Sequence, residues 1–455
     1  MVDFIFFYEH KQRELESVVL LKTELERRGY TVALYGAYEK NRLEVLPLKK
    51  LKPKVAVLSA LYTPSVLSYF STSLIGFNRK IANLQWEQIL FHCEEINPEC
   101  KQNVFGFVQN AMHFCWGEKS RKRIVDNGVP ADKAITTGYI NLDLLKPAFR
   151  SFLMTRDALA EKYHLDSGKK WALFVSSFSM ANADPQTVHA VEEVLGKENT
   201  EKYINISRKS KEILLEWFES VVRDNPETIL IYRPHPDEIG PYSYQSLRVL
   251  EDRYANFRVI NEQAIKHWIV NSNIVYNWMS TSMIDILQLN PAWHLLRPVP
   301  FDSEMDIDYM HAMPQITELE EFRDSFNDPG YRSEAERQFS PAAVYEYYDN
   351  LDPNRFAYMK VVDCLEELYG TDKYDLKYPL SYKVSFVLHT IKNRLGVFSY
   401  QHQKLFRPLA RAFRHHWKNL DEEIAYLKQG YQRNVAMPEE IEELSAKIRD
   451  ILANG

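Results

Sequence analysis

Short apolar runs recur along this chain, each leaving through a polar stretch into an amphipathic helix. That rhythm constrains the fold more than any other feature. Strand–helix–strand repeats build a parallel sheet with helices on both faces, and ligands bind such sheets outside the carboxyl ends of the strands. In the first half, Phe4–Tyr8, Thr31–Tyr35, Val55–Leu58, Ile81–Gln88 with its polar exit, His113–Gly117 and Ala134–Gly138 read as strands. Leu15, Val18, Leu21 and Leu25 repeat at helical spacing before Gly29, and a second helix is expected from Glu118 to Asn127. Ser151–Asp166 reads as helical and carries the connection to a second set of strands. These are Trp171–Val175, Ile229–Tyr232, Phe257–Ile260 and Asn273–Asn277, with helices over Lys209–Arg223, Glu262–Val270 and Met283–Leu289. No internal repeat is visible, and nothing matches the G-x-G-x-x-G dinucleotide pattern.

The strand exits carry the chemistry. Ile229-Leu230-Ile231-Tyr232 runs into Arg233-Pro234-His235-Pro236-Asp237-Glu238. Pro234 and Pro236 stiffen that turn and push the residues before them to extended geometry, so the charged groups have fixed directions. Cations beside carboxylates on a rigid strand-end loop suit an anionic ligand and acid–base or nucleophilic work on it. Trp171–Val175 exits into Ser176, Ser177 and a loop through Asn182 and Asp184, where small residues let backbone amides approach a phosphate. Asn273–Asn277 exits into Ser280-Thr281-Ser282 at a helix start. Taken alone that cluster is an ordinary helix cap; three polar exits in one sheet favour a shared anion site. In the first half, Glu9, His10, Lys11, Arg13, Glu87 and Gln88 fall at strand exits, where they either bind an acceptor or cap helices. Asp306-Ile307-Asp308 spells the Asp-x-Asp of some metal-dependent sugar transferases, but lies at no strand end, and no metal is expected.

Composition narrows the class. The chain of 455 residues is long enough for two or three domains, and its net charge of −6 argues against a nucleic-acid binder as a whole. Cys93, Cys100, Cys115 and Cys364 form no C-x-x-C pair, which fits reduced thiols in a cytoplasmic protein. No secretory leader and no membrane-spanning run are expected.

Arg233-Pro234-His235-Pro236, preceded by Ser176-Ser177 and followed by Ser280-Thr281-Ser282, resembles the GT-B glycosyltransferases of bacterial surface polysaccharides. The likeness covers roughly residues 1–370. It is strongest to the retaining β-Kdo transferases of O-antigen and capsule synthesis (glycosyltransferase family 99). It is looser to polysialyltransferases and CDP-glycerol glycerophosphotransferases, whose crossover region Cys115–Gly117, Gly138 and Asp143 also resemble. The resemblance implies an α/β fold of GT-B type, two Rossmann-like domains facing a cleft with a C-terminal helical extension. The expected divisions are an acceptor domain over 1–150, a nucleotide-sugar domain over 151–333, crossover helices over 334–378 and a basic helical tail over 379–455. It further implies a CMP-β-Kdo donor, no cofactor, and a lipid-linked glycan acceptor at the inner face of the inner membrane. His235 and Pro236 would bracket the phosphate with Arg233 nearby, and Ser280, Thr281 and Ser282 would meet it from the other side. A carboxylate would form the covalent adduct: Asp237 first, with Glu238 and Asp184 in reserve. CDP-glycerol or CMP-sialate transfer, a non-catalytic nucleotide-sugar-binding assembly protein, and a nucleotide-sugar epimerase stay open.

From Ser381 to Lys418 there is no Asp or Glu, while eight Lys and Arg are interleaved with Phe386, Leu388, Ile391, Leu395, Phe398, Leu405, Phe406, Leu409, Phe413 and Trp417. Such a segment lies on an anionic membrane surface, docks on the acidic body of the chain or joins two copies. Pro438–Leu452 reads as a helix with acidic and basic ends.

Overall fold

A computed structural model describes residues 2–36, 53–70, 75–235, 238, 241–290, 292–402, 404–405, 417–418, 421 and 434–454. Pro236 and Asp237 lie outside the described residues, as do most positions of the tail beyond His402. The chain forms two compact units, one of residues 1–88, 101–144 and 346–455, the other of residues 89–100 and 145–345.

The first unit holds a parallel sheet of β1 (Phe4–Tyr8), β2 (Val32–Gly36), β3 (Val55–Leu58), β4 (Ile81–Asn83), β5 (Met112–Cys115) and β6 (Ala134–Thr136), in the order β2-β1-β3-β4-β5-β6. β1 and β3 are buried along their whole length, as apolar runs must be when helices cover both faces of a sheet. The returning chain is received by β5 and β6. A Cβ at Gly117 would stand 2.4 Å from the backbone of Glu346 and Tyr347, so only glycine allows that approach. Gly138 holds φ +97°, and the Asn350 amide fills the space beside it. Asn350 accepts from Tyr139 N at 2.8 Å and donates to Asp143 Oδ1 at 2.8 Å, while Tyr358 N donates to Asp143 Oδ2 at 2.7 Å. The Cys115–Asp143 stretch is thus the seat on which residues 346–358 are latched. The last helix, Pro438–Asn454, lies on the first, Lys11–Arg27, tied by a 2.6 Å Lys11–Glu440 ion pair.

The second unit holds β7 (Lys170–Val175), β8 (Thr228–Arg233), β9 (Phe257–Val259), β10 (Ile274–Asn277), β11 (Trp293–Leu296) and β12 (Gln315–Ile316), all parallel, in the order β12-β11-β10-β7-β8-β9. That is the Rossmann order, with the direction of strand addition reversing between β7 and β10. β11 and β12 are too short and irregular in pattern to have been expected. The helix expected over Lys209–Arg223 begins twelve residues earlier, spanning Lys197–Asp224; its Phe218 packs on Phe174 and Tyr232 of the sheet, and its buried Leu214, Trp217 and Val221 belong to the same core. The Ser151–Asp166 helix is corrected to a 3-10 turn, Pro147–Phe152, and a shorter helix, Arg156–Tyr163, which starts at the Thr155 cap.

Candidate functional site

The strand register brings three of the expected exits to one edge. Val175 of β7 stands beside Arg233 of β8 and beside Asn277 of β10. Neighbouring strands are about 5 Å apart. Ser176–Ser177, Pro234–His235 and Trp278–Ser280 therefore leave the sheet side by side, around the point where strand order reverses.

Glu238 organises this edge from below. Its carboxylate is wholly buried and accepts from Ser176 Oγ at 2.5 Å, Tyr232 Oη at 2.8 Å, Lys211 Nζ at 2.8 Å and His235 N at 3.4 Å. Glu238 N in turn donates to His235 O at 2.8 Å, which closes the proline-flanked turn. One side chain so ties the β7 exit, the β8 exit and the long helix together. A carboxylate held by four donors orients groups around it; it is not presented to a sugar.

Arg233 is also buried. Its guanidinium donates to the carbonyls of Ile260 at 3.0 Å, Glu262 at 2.7 Å and Gln263, clamping the β9 exit, where Gln263 takes φ +66°. His235 is half-buried beside it. Ser176 and Ser177 are buried and lead into the 3-10 turn Phe178–Asn182, and Asn182 is exposed at its end. Asp184 is exposed and caps the helix Pro185–Leu195, accepting from Thr187 N and Thr187 Oγ1 at 2.9 Å each. Across the edge, the Asn277 side chain accepts from Ser280 N and donates to Ser280 O, both at 2.9 Å. Ser280 Oγ accepts from Ser282 N at 3.3 Å, a local turn bond just ahead of the helix whose N-cap is Ser282. Thr281 is exposed and Ser282 half-buried at the start of Met283–Leu289.

Asp306 and Asp308 have separate partners. Asp306 is buried and accepts from Arg297 at 3.0 Å, and Asp308 faces His92 at 2.8 Å. Burial draws the Arg297 guanidinium below its ordinary pKa, against the pull of Asp306.

In the first unit, Arg13 pairs with Glu14 at 2.7 Å and reaches Glu87 at 3.3 Å. Burial pushes the Glu14 carboxyl up, with Arg13 and the Glu9 amide opposing it. Gln88 is an internal clamp: it donates to Gln85 O and Phe114 O at 2.9 Å and accepts from Trp116 N at 2.8 Å. Lys11 is engaged with Glu440.

Lys211 and Tyr232 were not singled out from the sequence. Lys211 had a visible signature. It falls three, seven and ten residues before Leu214, Phe218 and Val221, on the apolar face of its helix, where a lysine needs a buried partner.

Two parallel six-stranded units of Rossmann type make this a protein of GT-B fold. No family profile and no curated protein matches the chain. Among solved structures it is similar to a UDP-N-acetylglucosamine 2-epimerase, at 12% identity over 83% of this chain and 98% of that one, with TM-score 0.51. A Listeria monocytogenes protein assigned as a UDP-N-acetylglucosamine 2-epimerase overlays at 11% identity, over 83% and 100% of the two chains, with TM-score 0.50. The wall teichoic acid polymerase TagF overlays at 12% identity, over 81% and 89%, with TM-score 0.47. At these identities the likeness is one of fold.

Proposed function

We propose that this protein is a glycosyltransferase that moves Kdo from CMP-β-Kdo to a lipid-linked surface glycan of the O-antigen or capsule kind, with retention. One observation carries the reading: three polar strand exits share one edge of the second sheet at its reversal point. Rossmann-type sheets bind nucleotides at such a point, where backbone amides and helix starts meet the phosphate. The phosphate is assigned to His235 and Pro236 on one side and to Ser280, Thr281 and Ser282 on the other. Ser176 and Ser177 lie between, with Asn182 at the end of the following turn. Arg233 serves by fixing the β9 exit loop.

Asp237 is assigned the covalent step. Its oxygen bonds to the anomeric carbon as the bond from that carbon to the CMP phosphate oxygen breaks, and the electron pair leaves with CMP. The acceptor hydroxyl oxygen then displaces the carboxylate from the same carbon, losing its proton to solvent. Two displacements preserve the configuration. Glu238 holds the turn and Asp184 caps a helix, which supports Asp237 over both. The proposal gives no step to a metal or other cofactor.

Turnover with CMP-Kdo, CMP-sialate, CDP-glycerol and UDP-N-acetylglucosamine tests the reading. The account expects CMP release from CMP-Kdo alone, and its loss in Asp237→Asn and Asp237→Ala. Release of glycerol phosphate or sialate instead would redirect the donor. Conversion of UDP-N-acetylglucosamine to an epimer without transfer would replace the transferase by an epimerase.

A further inference from the structure

In the first unit the helix Leu380–Gln401 carries an unusual face. Leu380, Val384, Val387, Leu388, Ile391, Leu395 and Phe398 are all exposed, from 46% for Val387 to 76% for Leu380. At about 100° per residue these seven fall within an arc of roughly 100°. The opposite side of the helix is the docked one. Tyr382 packs on Phe107 with ring centroids 4.8 Å apart, Phe386 packs on Phe77 at 5.0 Å and Gly396 is buried, while Ser399, on the flank of the apolar arc, accepts from Trp417 Nε1 at 2.9 Å. Soluble surfaces rarely expose contiguous apolar area on this scale unless it binds something. Docking on the body of the chain, one reading of the sequence, is already satisfied by the other face.

We infer that this face lies on an anionic lipid surface. The charge pattern selects that occupant. Lys383 and Lys392 are exposed and sit on either side of the apolar arc, where an interfacial helix places cations to reach lipid phosphates. No acidic residue occurs from Ser381 to Lys418, although the whole chain carries a net −6. An acidic body of that kind is repelled by an anionic membrane, so the basic segment gives the chain one orientation toward lipid. Among the described residues no helix is long and apolar enough to cross a membrane, so this one rests in the interface. The inference stands apart from the donor chemistry. It adds to the proposed function the surface through which a lipid-carried acceptor is met.

The test is co-sedimentation of the full chain with vesicles of phosphatidylglycerol and, separately, of phosphatidylcholine. The wild-type chain is expected to pellet with phosphatidylglycerol at least about tenfold more tightly than with phosphatidylcholine, and less so as salt is raised. Leu388→Glu/Ile391→Glu/Leu395→Glu changes exposed positions only and is expected to abolish pelleting on both, with the unfolding midpoint unchanged. Lys383→Glu/Lys392→Glu is expected to remove the preference for phosphatidylglycerol. Absence of wild-type binding, or equal binding by the triple variant, overturns the inference. So does a wild-type dimer that the triple variant splits into monomers while neither binds vesicles, because the face would then belong to a second copy. Donor turnover measured without lipid reads the functional proposal independently, so the failure of either is recognisable.

Discussion

The two sheets use their buried polar groups differently. At the carboxyl edge of the first, neutral amides and an imidazole link the β4 and β5 exits, and the charged pair described above, Arg13 with the buried Glu14, ties the β1 exit. Asn83 Nδ2 stands 3.1 Å from His113 Nδ1, His113 Nε2 is 3.1 Å from Val108 O, and Gln88 ties three carbonyls. At the edge of the second, a buried Lys211–Glu238 pair holds two strand exits and Arg233 clamps a third. Neutral amides set loop shape and leave little field. A charged hub fixes shape too, but costs desolvation, which a fold retains where it must position other polar groups. On the proposed function the second sheet's edge holds the ligand, and the first serves as scaffold and latch.

The largest effect expected from breaking this contrast is at the hub. Lys211→Met strands a buried carboxylate and is expected to cost about 3–5 kcal/mol. Lys211→Met with Glu238→Gln is expected to cost clearly less than the sum of the two single changes. Urea unfolding of the four chains measures this; additive losses would mean that the two side chains act separately.

The scaffold edge predicts acid lability. Burial draws the His113 pKa down to about 4 from an ordinary 6.5. The folded pKa is depressed, so this stability is fully present above the unfolded value. It is lost as pH falls from about 6.5 toward about 4, up to roughly 3 kcal/mol. His113→Gln is expected to flatten that part of the stability–pH curve. An unchanged slope would show that the imidazole is not the group responsible.

A smaller loss is expected at the latch. Gly117→Ala forces the Glu346–Tyr347 backbone to shift, at about 1–3 kcal/mol, read as a lower unfolding midpoint. Smallest is Ser280→Ala, at about 1 kcal/mol of stability if the hydroxyl only closes its local turn. A drop in CMP affinity beyond that amount would give the hydroxyl a second role at the phosphate and sharpen the assignment of the second edge.

Much of this architecture was legible because apolar runs bounded by Gly and Pro announce buried parallel strands. Phe4–Tyr8 and Val55–Leu58 form strands with the expected bounds, and the three polar exits of the second half do converge. What escaped was whatever depends on tertiary partners. β11 is only four residues long and β12 two, below the length at which a pattern stands out. The passage of residues 89–100 into the second unit has no local signature. Arg233 and Glu238 look alike in sequence as charges beside a His-Pro element; only packing shows that both are internal, one bonded to carbonyls and the other to Lys211. Asp306 and Asp308 look like a metal motif in sequence, yet each faces its own cation or imidazole.

The most direct test of the central claim is a CMP titration of the wild-type chain and of His235→Ala, followed by a structure of the wild-type complex. The account predicts that CMP binds, that its phosphate sits at the β7, β8 and β10 exits against Ser176, Ser177 and His235, and that His235→Ala weakens binding at least about tenfold. CMP bound at the first sheet's edge, or no CMP binding at all, would contradict it.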